Sequence, residues 1–419
     1  MGGRVANVKW FTSLTRFPRN RTRLDTSEYF PFGHDIPKPL FDPSSMTNVT
    51  SSPQISYLFC GSGDGRHVFW QLVTTSLAIV QHGRKIHITM IDLKAPAMAR
   101  MIVMFELLLL YSTAYAMYRS DKDAGQWYVL MLSYVFAGTV VPPEVDEKLR
   151  DIIAGVAKAL EENPETPIHS SIYVQPNAIP DIIRHLKSWS QSSEGSHPAS
   201  AVRAAGMRRT GTTKFETDQI SSGKKKSFAT WLDDCKVFNQ FGIVLPPRRF
   251  MVKIEPGLDK VISSYLANPK SPNAIKAVDD YLDANWKANT TLFDMDWEAA
   301  RQKTTEYLGP DLPIYPQLVC DAPYMAATLQ GEDPGKFNPK GKSVSEWVQE
   351  FFLCIGQCMP GIITGKATIE MIVGEMSDFM DRLAHDALPH RQTNAPNVDG
   401  QDPSEFPKVY DFVHLSNIP

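Results

Sequence analysis

Cysteine is scarce and scattered in this sequence of 419 residues. There are five cysteines, and none of them forms a C-x-x-C pair, which argues against the usual structural zinc module. Cys354 and Cys358 lie four residues apart in an apolar pattern at helical spacing, which favours core packing over metal binding. The sequence therefore predicts no metal site. Scattered cysteines also favour a reducing compartment, so we expect a cytoplasmic protein.

Several motifs of common catalytic sites are also missing. The sequence has no G-x-x-x-x-G-K phosphate loop, no H-E-x-x-H motif and no G-x-S-x-G nucleophile elbow. Basic and acidic residues nearly balance, and a net charge of −3 predicts neither a nucleic-acid partner nor a membrane partner. The most apolar stretch, residues 101–118, is interrupted by Glu106, which leaves a charge-free part shorter than the ~20 residues of a membrane span.

The sequence is organised around residues 55–66, which read I-S-Y-L-F-C-G-S-G-D-G-R. The apolar run, with its β-branched and aromatic members, predicts a short strand buried on both faces. The run then breaks at Gly61, Gly63 and Gly65, which enclose Asp64, and an apolar pattern at helical spacing follows. Glycine suits such a turn because it adopts positive φ and lets a ligand approach the backbone. Strand, turn and helix together indicate the nucleotide-binding corner of a Rossmann-like α/β sheet.

A second strand is predicted over the alternating, β-branched residues 85–91, and it ends at Asp92. A carboxylate at this strand tip holds the ribose hydroxyls of a nucleoside in such folds. The same position suits a cap for the following helix, and the sequence leaves both roles open. Arg66, directly after the glycines, also has two possible roles. It either meets an anionic ligand at the helix N-terminus or forms a salt bridge with a nearby carboxylate.

The long interval from residue 126 to 390 is predicted to be a mainly helical insertion packed beside the sheet. Ser343 and Glu346 have the spacing of a capping box at the start of one of its helices. Within this interval, residues 191–227 are rich in Ser, Gly, Thr and Lys, and this composition predicts a mobile loop. The predicted helices cover residues 144–162, 179–190, 228–238, 272–288, 295–308, 343–359 and 367–387.

The two ends of the chain carry different signals. Residues 1–28 form a basic arm that we expect to be disordered, although their composition also resembles a mitochondrial transit peptide. Residues 29–125 are predicted to form the first part of the Rossmann-like domain. Residues 391–419 are expected to return to the sheet with an apolar strand over residues 408–415, placed beside the first strand.

Three segments carry a resemblance to a known family: residues 60–67 (C-G-S-G-D-G-R-H), residues 88–93 (I-T-M-I-D-L) and residues 99–105 (A-R-M-I-V-M-F). They are similar to a fungal family of unknown function whose domain often precedes a MYND zinc finger. The same module is shared with the dynein axonemal assembly factor 3 family. Residues 29–37 and 410–419 extend the similarity, and no MYND cysteine pattern is present. The resemblance implies a fold like that of S-adenosylmethionine-dependent methyltransferases, with S-adenosylmethionine as the corresponding cofactor.

Compared with those enzymes, the cofactor clamp of this chain is incomplete. They place an acid two residues before the first glycine, where this chain has Phe59. Asp64 either substitutes for that acid or caps the following helix. Ser416 and Asn417, followed by Ile and Pro, resemble the polar loop that grips a target nitrogen in amine methyltransferases, but the aromatic residue of that loop is absent.

These observations define the expected site and function. Because the clamp is incomplete, we expect a methyltransferase-like binding or assembly-factor protein that is non-catalytic and has a protein partner. The alternative is an active S-adenosylmethionine-dependent methyltransferase, which needs its donor and acceptor held in line more than it needs acid–base groups. The catalytic residues stay unassigned. The predicted cofactor-binding residues are Gly61, Gly63, Asp64, Gly65, Asp92, Ser416 and Asn417.

Overall fold

A parallel sheet is the framework of the fold. The computed structural model describes Tyr29, Leu40 and residues 53–117, 125–164, 169–191, 197–209, 229–296, 342–391 and 402–415. The strands in this part of the chain are β1 (Gln54–Cys60), β2 (Lys85–Asp92), β3 (Val140–Val141), β4 (Ile172–Val174), β5 (Lys287–Ala288), β6 (Ala367–Val373) and β7 (Phe412–Leu415). Five of them form one sheet in the order β4–β6–β2–β1–β7, in which every neighbouring pair is parallel. β3 and β5 form a separate antiparallel pair.

Helices pack beside this sheet and account for most of the described residues between β2 and β7. Those in the described ranges are α1 (Arg66–His82), α2 (Ala95–Met117), α3 (Gln126–Ala137), α4 (Pro143–Glu162), α5 (Ile179–Trp189), α6 (Ala199–Arg209), α7 (Ala229–Phe241), α8 (Arg248–Ile254), α9 (Pro256–Ala267), α10 (Pro272–Asn285), α11 (Val344–Gly356), α12 (Met359–Ile363) and α13 (Met376–Ala384). The structure is therefore of the mixed α/β class that the sequence predicts.

β1 and β2 lie at the centre of the sheet because both are apolar and rich in β-branched and aromatic residues. They pair from Gln54 opposite Lys85 to Cys60 opposite Ile91. Every β1 residue after Gln54 is buried, which confirms the predicted strand covered on both faces. The glycine turn and α1 follow β1 directly, and β2 ends at Asp92, as predicted.

Helix α2 forms the layer behind the sheet. Its residues from Ala95 to Phe105 are all buried, and the helix packs against α3, α5 and α11. By length and composition α2 is also able to cross a membrane. Core helices of soluble proteins can be equally long and apolar, and 67% of the most apolar window of α2 is buried inside the protein.

The interval predicted to be mainly helical also supplies β4 and β6 to the main sheet. Helices α4, α5 and α11 are present as predicted, and α11 begins with the Ser343–Glu346 capping box. The helix predicted over residues 367–387 is wrong. The structure has β6 there, followed after Gly374 by the shorter helix α13. A β-branched strand and an amphipathic helix placed end to end produce an apolar stripe that resembles one long helix.

Helix α6 lies inside the segment predicted to be a mobile loop. Its residue Val202 is buried, and buried Arg203 pairs with Asp279 at 3.0 Å and with Asp283 at 2.5 Å, both on α10. An alanine-rich helix fixed by one arginine carries few large apolar residues, so composition alone does not reveal it.

Other predictions lie outside the described residues. They concern the basic arm over residues 1–28, most of the helix over residues 295–308, and the parts of the predicted loop at 192–196 and 210–227.

β7 brings the last described segment back to the sheet, at its edge beside β1. It pairs in parallel with β1, from Tyr57 opposite Phe412 to Cys60 opposite Leu415. The strand predicted over residues 408–415 is thus beside the first strand, but only residues 412–415 form it. Its tip lies at the same end as the glycine turn. The side chains of Val413 and Leu415 are exposed.

Candidate functional site

The glycine turn after β1 has the backbone that its sequence predicts. Gly61, Gly63 and Gly65 have φ angles of 69°, 53° and 73°, in the region that favours glycine. The amides of Gly61 and Ser62 donate to the carbonyl of Ile91 at 2.9 and 3.2 Å. Main-chain hydrogen bonds therefore hold the turn against the end of β2.

Further amides of the turn also find partners within the protein. Gly63 N donates to Asp92 Oδ2 at 2.9 Å, and Gly65 N donates to the carbonyl of Ser62 at 2.9 Å. Arg66 N donates to Asp64 Oδ1 at 3.2 Å. Glycine-rich turns bind anions through amides that point at the ligand. Here those amides are engaged by the chain's own oxygens.

Asp92 holds the glycine turn and the start of the next segment together. While Oδ2 accepts from Gly63, Oδ1 accepts from the amide of Lys94 at 3.0 Å. Burial raises the pKa of Asp92, and the hydrogen bonds from the Gly63 and Lys94 amides act in the opposite direction. The structure thus shows Asp92 as the residue that ties the tips of β1 and β2 together and precedes α2.

Asp64 and Arg66 form a buried ion pair at the start of α1. Arg66 Nε lies 2.9 Å from Asp64 Oδ2, and both side chains are almost fully buried. Of the two roles open to Arg66, the structure shows the salt bridge. Buried Arg100 lies near this pair and also hydrogen-bonds Tyr29, whose hydroxyl donates to the carbonyl of Thr291 at 2.7 Å. A network of buried polar groups therefore lies beneath the turn.

Gly65 is required by packing as well as by φ. A Cβ atom placed on it would lie 2.3 Å from Met101 Sδ and 3.3 Å from a ring carbon of Phe69. Met101 belongs to α2 and is fully buried. The third glycine therefore lets α2 and the turn pack closely, one of the roles known for glycine in such turns.

The tip of β7 closes one side of the corner. The His414 ring lies tilted against the His67 ring with ring centroids 4.2 Å apart, and its centroid is 5.8 Å from that of Phe59. Phe59 is buried in β1, so the position where methyltransferases carry an acid is part of the core here. Ser416 and Asn417 lie outside the described residues. The structure therefore brings together Gly61, Gly63, Asp64, Gly65 and Asp92 from the predicted site.

A separate cavity of about 540 Å³ lies at the carboxyl ends of β4 and β6. Its lining includes neither the glycine turn nor Asp92. Tyr173, Phe379 and Leu388 form part of its apolar wall, and Glu375 and Asp378 supply carboxylates at its edge. The carboxyl ends of parallel strands are where α/β sheets commonly bind ligands.

A second polar centre, not predicted from the sequence, lies around Glu370 on β6. The fully buried carboxylate of Glu370 accepts from Thr89 Oγ1 at 2.6 Å and from Arg391 Nε at 3.0 Å. His390 Nε2 lies 2.9 Å from Oε1, and His87 Nε2 lies 3.2 Å from Oε2. Strands β2 and β6 are thus joined to the segment around Arg391.

Electrostatics at this centre favour a charged Glu370. Burial alone would raise its pKa, but the Arg391 guanidinium and the hydrogen bonds from His390 and His87 hold that pKa well below the usual range. Burial lowers the pKa of His87, which favours its neutral form. Tyr410 completes the network, with its hydroxyl 2.7 Å from Arg391 and 2.8 Å from Thr89.

One sequence signal pointed toward this centre. His87 and Thr89 occupy alternate positions of an otherwise apolar strand, and Glu370 interrupts another apolar run. The register places Thr89 directly opposite Glu370. Polar residues on one face of two buried strands require partners, so the pattern indicates a shared buried network.

Comparison with known proteins adds one match. Residues 31–131 match the family model described as a domain of unknown function, DUF4470. The match covers β1, the glycine turn, β2, α2 and the first half of α3. No curated protein and no solved structure matches the chain. The comparison therefore places the glycine corner within a domain of unknown function.

Proposed function

We propose that this chain is a methyltransferase-like binding protein that is non-catalytic and acts in the cytoplasm through a protein partner. The observation that carries the proposal is the closed glycine corner. The amides of Gly61, Ser62, Gly63, Gly65 and Arg66 donate to oxygens of the chain itself. A cofactor entering this turn would have to compete with contacts that also hold the sheet together.

The arrangement of the parallel sheet supports the same proposal. In the strand order β4–β6–β2–β1–β7, the glycine turn follows the interior strand β1, and Asp92 lies at the tip of its neighbour β2. The acid of the methionine clamp is replaced by buried Phe59. The chain combines the sheet of a cofactor-binding fold with a corner that its own side chains fill. The resemblance to the module of a dynein assembly factor family is consistent with a scaffold role.

Isothermal titration with S-adenosylmethionine and S-adenosylhomocysteine tests the absence of a working cofactor site. We expect no saturable heat for the wild-type protein at about 1 mM ligand, because the amides and Asp92 are already engaged. The matched variant is Asp92→Ala, which frees the Gly63 amide and removes the ribose acceptor. Tight binding by the wild type that Asp92→Ala weakens by tenfold or more would support the alternative, an active methyltransferase.

The edge strand β7 is the surface that best fits a protein partner. On this strand Val413 and Leu415 are 46% and 58% exposed, and Val409, which precedes the strand, is 83% exposed. In the described part of the chain, β7 pairs with a strand on one side only. The open side of an apolar edge strand offers a template on which a partner adds a strand.

Site-specific photocrosslinking in cells of the source organism tests this surface. A crosslinking residue at Val413 or Leu415 is expected to give a discrete adduct with another protein. The control is Val252 on α8, which is 56% exposed but does not lie on the sheet edge. The partner proposal fails if the β7 positions give no adduct, or if Val252 gives the same adducts with equal yield.

A further inference from the structure

His185 on α5 is an unusual buried histidine. Its side chain is 0% exposed, yet neither ring nitrogen has a hydrogen-bond partner among the described residues. Buried polar atoms almost always have a partner, so such a side chain requires an explanation.

Two carboxylates face this imidazole. Asp294 and Asp296 follow the 3₁₀ turn Thr290–Leu292, and one oxygen of each lies within 4.8 Å of the other and of a His185 ring nitrogen. His185 Nε2 and Asp296 Oδ2 are 3.6 Å apart. This separation is too long for a hydrogen bond, but it suits two ligands of one ion bound at about 2.0–2.2 Å.

We propose that His185, Asp294 and Asp296 form a binding site for a divalent transition-metal ion, with Zn²⁺ as the best fit. One imidazole nitrogen and two carboxylate oxygens suit zinc, whereas Mg²⁺ and Ca²⁺ prefer oxygen ligands alone. Three protein ligands leave a further coordination position for water or a substrate group. None of the three proposed ligands belongs to the glycine corner or to the β7 edge.

Two cationic side chains contact the carboxylates of the proposed site. Arg184 forms a two-pronged ion pair with the carboxylate of Asp296, and Lys94 Nζ lies 3.7 Å from Asp294 Oδ2. Because the Arg184–Asp296 pair is exposed, a metal ion displaces the guanidinium at little cost.

The position of the site links it to the sheet. Lys94 follows two residues after Asp92, whose other oxygen holds the glycine turn. His185 belongs to α5, which packs on α2, and α2 begins directly after Lys94. The ion would therefore lie beside the carboxyl end of β2, where α/β sheets place their ligands.

Titration with Zn²⁺, and with Co²⁺ as a spectroscopic probe, tests the site on the full chain. We expect one ion per chain and visible Co²⁺ absorption bands. Since loss of an outer-shell partner already costs 10–100-fold in affinity, His185→Ala and Asp294→Asn should each weaken binding by about 100-fold or more. The control His385→Ala removes an exposed histidine far from the cluster in sequence and should bind like the wild type.

Arg184→Ala is expected to strengthen Zn²⁺ binding, whereas the ligand variants weaken it. Removing a competitor for Asp296 should tighten Zn²⁺ binding by about two- to fivefold, the worth of an exposed ion pair. If the three residues only stabilise the fold, Arg184→Ala should not increase the affinity for Zn²⁺. If His185→Ala fails to fold by circular dichroism, Asp296→Asn, which changes an exposed side chain, must lose binding instead. The proposal is overturned if neither wild type nor Arg184→Ala binds Zn²⁺ stoichiometrically below ~1 mM, or if the ligand variants bind as tightly as the wild type.

Discussion

Glu370→Gln is expected to lower the free energy of unfolding by about 3–5 kcal/mol at pH 7, the cost of breaking a buried ion pair by removing one partner. Arg391 would keep its charge in a site where its main counter-ion is gone. The new amide group would also point N–H donors toward the hydroxyl and guanidinium donors that Glu370 now accepts from. Urea unfolding followed by circular dichroism gives the measurement.

Removal of a similar charge from an exposed pair provides the control for this variant. Asp378 on α13 pairs with Arg382 at 2.8 Å, with both side chains about half exposed. Asp378→Asn should change stability by less than about 1 kcal/mol, as expected of a surface ion pair. Equal effects of the two variants would show that the buried network is energetically no different from a surface pair.

The loss of stability caused by Glu370→Gln should depend on pH in a definite direction. The folded-state pKa of Glu370 lies below its ordinary value of 4.5, so its contribution is present above pH 4.5 and is lost as the pH falls through the folded pKa. The stability difference between wild type and Glu370→Gln should therefore narrow below pH 4.5. His87, whose pKa burial lowers from 6.5, should make the wild type less stable as the pH falls below 6.5.

The parts of the fold that the sequence predicts well are those whose signals are local. The strand before Gly61, the glycine turn and the strand ending at Asp92 follow one another within 40 residues, and each has its own pattern. The capping box at Ser343 is local as well. These elements carry enough information in their own residues to be predicted without knowledge of their neighbours.

What the sequence does not reveal depends on partners that are distant in the chain. Glu370 meets His87 and Thr89 across a register that no local pattern encodes, and it sits in a strand whose apolar spacing resembles a helix. His185 lies more than 100 residues before Asp294, and only the packed fold brings the two side chains together. The role of Asp92 was open for the same reason, because its hydrogen bond to Gly63 is visible only once the two strands are paired.

Gly65→Ala is expected to destabilise the protein by about 2–4 kcal/mol, more than positive φ alone explains. Positive φ costs an alanine about 1–2 kcal/mol, and the new methyl group would meet Met101 Sδ at 2.3 Å. The overpacking of a buried site adds about 1–3 kcal/mol. Gly83→Ala is the matched control, since Gly83 has a φ of 64° and a Cβ there would meet nothing within 4 Å. The excess cost of Gly65→Ala over Gly83→Ala measures the packing contribution.

A double-mutant cycle with Met101 assigns that excess to one contact. Met101→Ala alone should cost about 2–5 kcal/mol, because it opens a cavity in the core. In the double variant the added methyl group occupies part of that cavity, so the combined cost should be smaller than the sum by about 1 kcal/mol or more. Additive costs would mean that Met101 does not limit the glycine turn. A strong coupling would instead assign Gly65 to the packing of α2, which fits a corner that serves the fold more than a cofactor.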